Sequence, residues 1–345
     1  MSVRSGTKAT GTPEGRRDRI RGCLLGLAIG DAYGAPIEFL RRREIIERFG
    51  PDGPHDLEPW GSHPGGAYTD DTQMSVATAR GLLDWRAASG WAPGATADQD
   101  ALEALEHAIG RRYVEWYRSH AWDGRAPGTA CLTALGSGIP VDSKGCGGVM
   151  RVAPLGCADL GRAAFEAGAR AAALTHRHHT SDAASGFQAR IVDWLVGGED
   201  DLRAAARAAR STLVAWPESG GALDAVDTAI ALAGDASVET YEALGRIGHV
   251  GVETPDAPGK GWVAEEALGI GLFCALRFAG DFAAALRAAA VISGDSDSTA
   301  SIAGAMLGAA GGTAALPAAW REKVEDRDEL LRLADDLAGG AEPAG

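Results

Sequence analysis

No two cysteines in this sequence are spaced as C-x-x-C. The five present, Cys23, Cys131, Cys146, Cys157 and Cys274, are scattered and odd in number. That spacing excludes a zinc ribbon and argues against a disulfide framework, so reduced thiols in a cytoplasmic protein are expected. Basic charge is short, with 33 Lys and Arg against 47 Asp and Glu and a net charge of −14. A duplex nucleic-acid binder or a protein held on an anionic membrane needs a basic face, so neither partner is expected. No run of about 18 apolar residues is free of charges or glycine breaks, which argues against a transmembrane helix. The opening MSVRSGTKATGTPEGRR lacks the apolar core of a secretory signal. Alternating β-branched runs are also missing, although a parallel sheet in a chain of 345 residues would supply several.

What is present is helical periodicity in a chain that is 46% hydrophobic. In DRIRGCLLGLAIGDAYG, Ile20, Cys23, Leu24, Leu27 and Ala28 fall on one helical face. LEALEHAIGRRYVEWY, DLRAAARAARSTLVAW and AEEALGIGLFCALRFAG read the same way. The expected fold class is therefore all-α. No linker-like stretch interrupts the chain and no fixed-period repeat occurs. The expected organisation is a disordered tail over 1–17, one domain over 18–339 and a short tail over 340–345, as a monomer. Glycine is abundant at 48 residues and often sits inside helical patterns. It costs up to about 1 kcal/mol there relative to alanine, and a close helix–helix or helix–ligand approach would offset that.

Two helix starts carry paired carboxylates with hydroxyls: Thr69-Asp70-Asp71-Thr72, and Asp295-Ser296-Asp297-Ser298-Thr299. Capping alone accounts for either, because a hydroxyl or carboxylate in the first turn satisfies free N–H groups and the helix dipole. Two such clusters in one chain make capping less sufficient. Hard divalent cations take carboxylate and hydroxyl oxygens, and convergence of the two starts would build a two-metal site. DSDST also fits the opening of a haloacid-dehalogenase motif, but only about 50 helical residues follow it, where an α/β domain is needed. As an EF-hand loop it fails, with Ala300 where glycine is required and Met306 where a bidentate glutamate is required.

Three further segments carry chemistry. In GDAYGAPIEF, Pro36 stiffens a turn that presents Glu38; a plain helix exit is the simpler alternative. The glycines of DSKGCGGVMRVAPLG leave N–H groups free to wrap an anion or a sugar; a tight connection between helices is the equal alternative. It is not a Walker A loop. THRHHTSD holds His176, His178 and His179 without a Cys or Glu in zinc-ligand spacing, so a ligand-contacting or capping histidine is favoured over a metal ligand.

Taken in chain order, GCLLGLAIGDAYGAPIEF, YTDDTQM, SKGCGGVMRVAPLG, THRHHTSDAASG, GKGWVAEEAL and SGDSDSTASIAGAMLGA resemble the ADP-ribosylglycohydrolase family across nearly the whole chain. The resemblance implies a compact orthogonal all-α bundle with two Mg²⁺ ions, replaceable by Mn²⁺, held by Thr69, Asp70, Asp71, Asp295, Asp297 and Ser298. Many members carry threonine where Ser298 stands. It implies catalytic roles for Glu38, Asp70, Asp71 and Asp297. It places Gly145, Cys146, Gly147, Gly148 and Met150 against the ADP-ribose moiety, together with His176 and Trp262. Many members carry asparagine at the position of Cys146, so one polar contact is altered. The implied activity is hydrolysis of the C1″ glycosidic bond between ADP-ribose and an acceptor, with an ADP-ribosylated arginine side chain preferred. The alternatives are an ADP-ribose-binding or toxin-immunity protein acting by occlusion, or a hydrolase of a small ADP-ribosyl metabolite.

Overall fold

A computed structural model of the protein describes residues 11–92, 94–247 and 261–339. Those residues form sixteen α-helices and no strand. The helices are α1 Pro13–Gly34, α2 Arg42–Phe49, α3 Asp70–Ser89, α4 Gln99–Ser119, α5 Thr129–Ser137, α6 Ala153–Gly156, α7 Ala163–Ala173, α8 His179–Val196, α9 Leu202–Val214, α10 Gly220–Gly234, α11 Thr240–Arg246, α12 Ala264–Arg277, α13 Phe282–Ala290, α14 Ser296–Gly311, α15 Ala318–Lys323 and α16 Arg327–Leu337. The all-α expectation holds. No single described helix is long and apolar enough to cross a membrane.

One boundary differs from the expectation. The polar composition predicts a tail up to residue 17, whereas α1 begins at Pro13. Thr12 caps it by accepting from Gly15 N at 3.1 Å, and proline at the first helical position lacks only an N–H that would be unpaired anyway. Arg16 then donates to the Cys157 carbonyl at 2.7 Å, which ties this turn to the body. The expectations for residues 1–10 and 340–345 lie outside the described residues.

Two central helices, α1 and α14, make the most extensive pairing in the molecule. The internal glycines explain it. A Cβ on Gly26 would stand 2.3 Å from the Gly304 carbonyl oxygen, one on Gly30 2.2 Å from that of Ala300, and one on Gly34 2.3 Å from that of Ser296. Only hydrogen fits in those spaces, so the two backbones touch along their length. Rising positions on α1 meet falling positions on α14, which makes the pair antiparallel. The C-terminal end of α1 is thereby placed against the N-terminal end of α14. Around this axis α3 packs on α4, α7 on α8 and α10 on α12, burying Tyr33, Tyr113, Phe165, Phe187 and Phe273 in one continuous core.

Candidate active site

Asp31 fixes where α3 begins. It lies fully buried on α1, and its carboxylate accepts from Thr69 N at 2.8 Å, Thr72 N at 2.9 Å and Thr72 Oγ1 at 2.6 Å. A carboxylate from a neighbouring helix thus binds the free N–H groups of this helix start. The Thr69 hydroxyl caps from within, accepting from Asp71 N at 3.3 Å. At the second start Asp295 caps α14, its Oδ1 accepting from Ser298 N at 3.2 Å. The glycine contact of α1 with α14 brings the two starts together. Thr69 Oγ1 donates to Asp297 Oδ2 at 3.2 Å, and Ser298 Oγ donates to Asp71 Oδ2 at 2.9 Å.

Both starts open into one cleft of about 540 Å³. Glu38 reaches it from the turn after α1. That turn is held to the segment before α14, with Phe39 N donating to the Gly294 carbonyl at 2.7 Å and Arg42 N to Ser293 Oγ at 2.9 Å. Phe39, exposed at the cleft edge, has φ of 56°, a left-handed conformation that costs a non-glycine residue about 1 kcal/mol. The glycine-rich loop forms the opposite wall. Cys146 N donates to the Trp262 carbonyl at 3.0 Å and Ala264 N to that of Lys144 at 2.7 Å, which pins the loop to the start of α12. The Cys146 thiol donates to Asp295 Oδ2 at 3.0 Å. His176 lies under the loop, buried, and the first turn of α5 from Thr129 to Cys131 completes the lining.

The electrostatics of this cleft are one-sided. Glu38, Asp70, Asp71, Asp295 and Asp297 all line it, Asp31 lies behind them, and the lining includes no Lys or Arg. Burial, then the neighbouring carboxylates Asp297, Asp295, Asp70 and Asp31, push Glu38 up to about 11. Burial and then Asp297 raise Asp31 to about 7 against the opposing pull of its hydrogen bonds to Thr72 and Thr69. Asp70, Asp71 and Asp297 are raised well above the usual carboxylate range, first by burial and then by one another or by Asp295. Asp70 Oδ2 is buried with no hydrogen-bond partner among the described residues. Carboxylates gathered in this way need protons or cations. Thr69, Asp70, Asp71, Asp295, Asp297 and Ser298 offer hard oxygens, the donor set of Mg²⁺ or Mn²⁺. Among the described residues no three acidic, His or Cys side chains are already closed around one point as metal ligands would be. The Thr69 and Ser298 hydroxyls donate to Asp297 and Asp71 instead, and the donor chemistry fits a divalent cation.

A family model described as ADP-ribosylglycohydrolase matches residues 12–345. The chain belongs to the ADP-ribosylglycohydrolase family. Members are hydrolases acting on ADP-ribosyl linkages. The ADP-ribosyl-[dinitrogen reductase] glycohydrolase of Rhodospirillum rubrum is 32% identical over 52% of this chain and 59% of its own length, so that match spans less than two thirds of the relative. The ADP-ribosylarginine hydrolase Tri1 of Pseudomonas putida is 28% identical over 94% of this chain and 79% of its own. The ADP-ribosylhydrolase ARH3 of Bos taurus is 26% identical over 92% of each. A solved structure titled ADP-ribosylglycohydrolase-related protein complex superposes with a TM-score of 0.66 at 24% identity, covering 94% of this chain and 99% of that one, which shows the shared fold.

Most of the residues singled out from the sequence of this family member meet at the cleft: Glu38, Asp70, Asp71, Gly145, Cys146, Gly147, Met150, His176, Trp262, Asp295, Asp297 and Ser298. Thr69 sits just behind them on Asp297. Gly148 does not line the cleft. A Cβ there would meet Ser181 Oγ at 2.5 Å and the Ala172 Cβ at 2.9 Å, so the residue is closely packed behind the loop. His178 acts as the N-cap of α8, accepting from Thr180 N at 3.2 Å, and His179 stacks on it in the first turn. Sequence reasoning missed Asp31, Phe39, Ser143 and the α5 turn. A signal existed for Asp31, a lone acid inside the apolar GLAIGDAYG, and for the α5 turn, where Pro127-Gly128-Thr129 marks a helix start. Nothing in the sequence marked Phe39.

Proposed function

We propose that the protein is a Mg²⁺-dependent hydrolase that releases ADP-ribose from an ADP-ribosylated arginine side chain. The observation that carries this reading is the convergence of two acidic helix starts, Glu38 and the glycine-rich loop on one cleft that lacks any lining cation. Bound Mg²⁺ would supply Lewis-acid orientation of the distal ribose hydroxyls, held by Thr69, Asp70, Asp71, Asp295, Asp297 and Ser298. Glu38, presented to the cleft by the turn after α1, would pass a proton to the departing nitrogen, and its carboxylate would then take one from the attacking water. The diphosphate is suited to the first turn of α5 and the Gly145–Gly147 backbone, whose N–H groups favour anions. That local arrangement lets a chain of net charge −14 bind an anionic ligand.

Arginine is favoured as acceptor on two grounds. A guanidinium is attracted to an acidic cleft whose edge exposes the rings of Phe39 and Trp262. The relative from Pseudomonas putida is named an ADP-ribosylarginine hydrolase. The test is free ADP-ribose released from arginine- and serine-linked substrates by metal-stripped protein, with Mg²⁺, Mn²⁺ or Zn²⁺ added back. Release from the arginine substrate restored by Mg²⁺ or Mn²⁺ but not Zn²⁺ is expected. Full activity in stripped protein overturns the metal dependence, and faster release from serine overturns the acceptor.

A further inference from the structure

Arg151 is fully buried, and among the described residues no carboxylate contacts it. Its Nη2 donates to Thr175 Oγ1 at 2.6 Å and to the Ala171 carbonyl at 3.1 Å. Nη1 faces Met74 Sδ and Cys131 Sγ, each at 3.5 Å, and the guanidinium lies 4.4 Å from the centre of the Tyr113 ring. Burying a cation among sulfurs, carbonyls and a ring is costly unless it serves something. The chain of contacts leads to the cleft: Thr175 Oγ1 lies 2.8 Å from His176 Nδ1. At the far side of that imidazole, Nε2 has no hydrogen-bond partner among the described residues and lies under the loop, 3.2 Å from where a Cβ of Gly145 would stand.

We propose that Arg151 and Thr175 are positioning residues that lock the His176 imidazole as its Nε2–H tautomer, a neutral hydrogen-bond donor aimed into the cleft at a hydroxyl or phosphate oxygen of the ligand. Arginine can only donate, so Thr175 Oγ1 is an acceptor toward Arg151 and keeps one proton to give. Two acceptors are within reach of that proton, His176 Nδ1 and the Cys131 thiol. The imidazole nitrogen is much the stronger acceptor. With Nδ1 accepting, the ring proton stays on Nε2. Burial and the Arg151 charge hold His176 down to about 3, so the ring stays neutral at working pH. The backbone keeps the ring in place, with Val141 N donating to the Thr175 carbonyl at 3.0 Å and Arg177 N to that of Val141 at 2.8 Å.

The ligand part of this inference rests on the proposed function, so the test reads the tautomer and the binding separately. Protein labelled with ¹⁵N-histidine, its His176 signals identified by their loss in His176→Gln, reports the tautomer through long-range ¹H–¹⁵N couplings. Calorimetry with ADP-ribose and Mg²⁺ reports affinity. The wild type is expected to show an unprotonated Nδ1 and a protonated Nε2, and Thr175→Ser to keep both. Thr175→Val, with the same shape and no hydroxyl, is expected to move toward a tautomer mixture and to bind ADP-ribose about tenfold more weakly. A wild-type His176 protonated at Nδ1 overturns the proposal whether or not any variant folds. Weaker binding by Thr175→Val with an unchanged tautomer also overturns it, since that is a structural effect alone. A tautomer shift in Thr175→Val together with no ADP-ribose binding by the wild type supports the positioning device and sinks the functional reading instead.

Discussion

Along the middle of the α1–α14 pair two backbones touch through glycine, while at one end of the same pair carboxylates face one another across a cleft. The first region is built from missing side chains and stabilises the fold by close packing. The second is built from buried charge, and without a cation at neutral pH it opposes folding. The two are consecutive stretches of the same helices. The glycine contact fixes the register and holds the acidic groups closer than they would settle on their own. Rigidity in one region is what allows the other to remain strained.

The largest expected effect sharpens that division. Asp71→Asn and Asp297→Asn should each lower ADP-ribose release about a thousandfold, roughly 4 kcal/mol, while circular dichroism and thermal melting show a folded protein. Wild-type turnover in either variant would mean that the two helix starts do not serve one site. Next comes the glycine contact. Gly30→Ala puts a methyl 2.2 Å from the Ala300 carbonyl oxygen, and the two helices must part, at a cost of about 3 kcal/mol. A melting temperature lowered by several degrees is expected, with activity lost as Glu38 and Asp297 separate. An unchanged melt would break the claim that the seam carries the site.

Glu38→Gln should reduce turnover by about a hundredfold, roughly 2.7 kcal/mol, and should still bind Mg²⁺ in calorimetry, because Glu38 is proposed to move protons and not to hold metal. Loss of metal binding in this variant would place Glu38 with the ligands. The smallest effect tests the strain itself. Burial and then Asp297 raise Asp70 in the folded protein, so below the ordinary carboxylate value of 3.8 the folded and unfolded states are equally protonated. As pH climbs past that value the unfolded state ionises first, and stability is lost progressively through neutrality. Metal-free Asp70→Asn should therefore be more stable than wild type at pH 7 by about 1 kcal/mol and should lose that advantage below pH 4 or so. Equal melts at both pH values would show that the acidic end carries no strain.

Much of the site was legible because each half is a local signal. Thr69-Asp70-Asp71 and Asp295 through Ser298 announce themselves as acidic helix starts, and the glycine spacing of DSKGCGG marks a backbone free to wrap a ligand. Asp31 and Arg151 were legible only as oddities, single charges within apolar runs, because what they bind comes from helices far along the chain. Thr175 looked like any residue before a histidine. Gly148, counted with the ligand loop, belongs to the packing behind it, and neighbouring glycines in one loop cannot be told apart without knowing which side each faces.

The sequence by itself determined the helical class, the two oxygen-rich helix starts and the net acidity, since periodicity, capping and composition are properties of neighbouring residues. Only the tertiary structure decided that residues 69–71 and 295–298 meet, that Glu38 and the Gly145–Gly147 backbone face them, and that Arg151 reaches His176 through Thr175. Those facts depend on how closely α1 can approach α14. That distance is set by glycines opposite carbonyl groups more than 260 residues away in the chain, a pairing that no local pattern encodes.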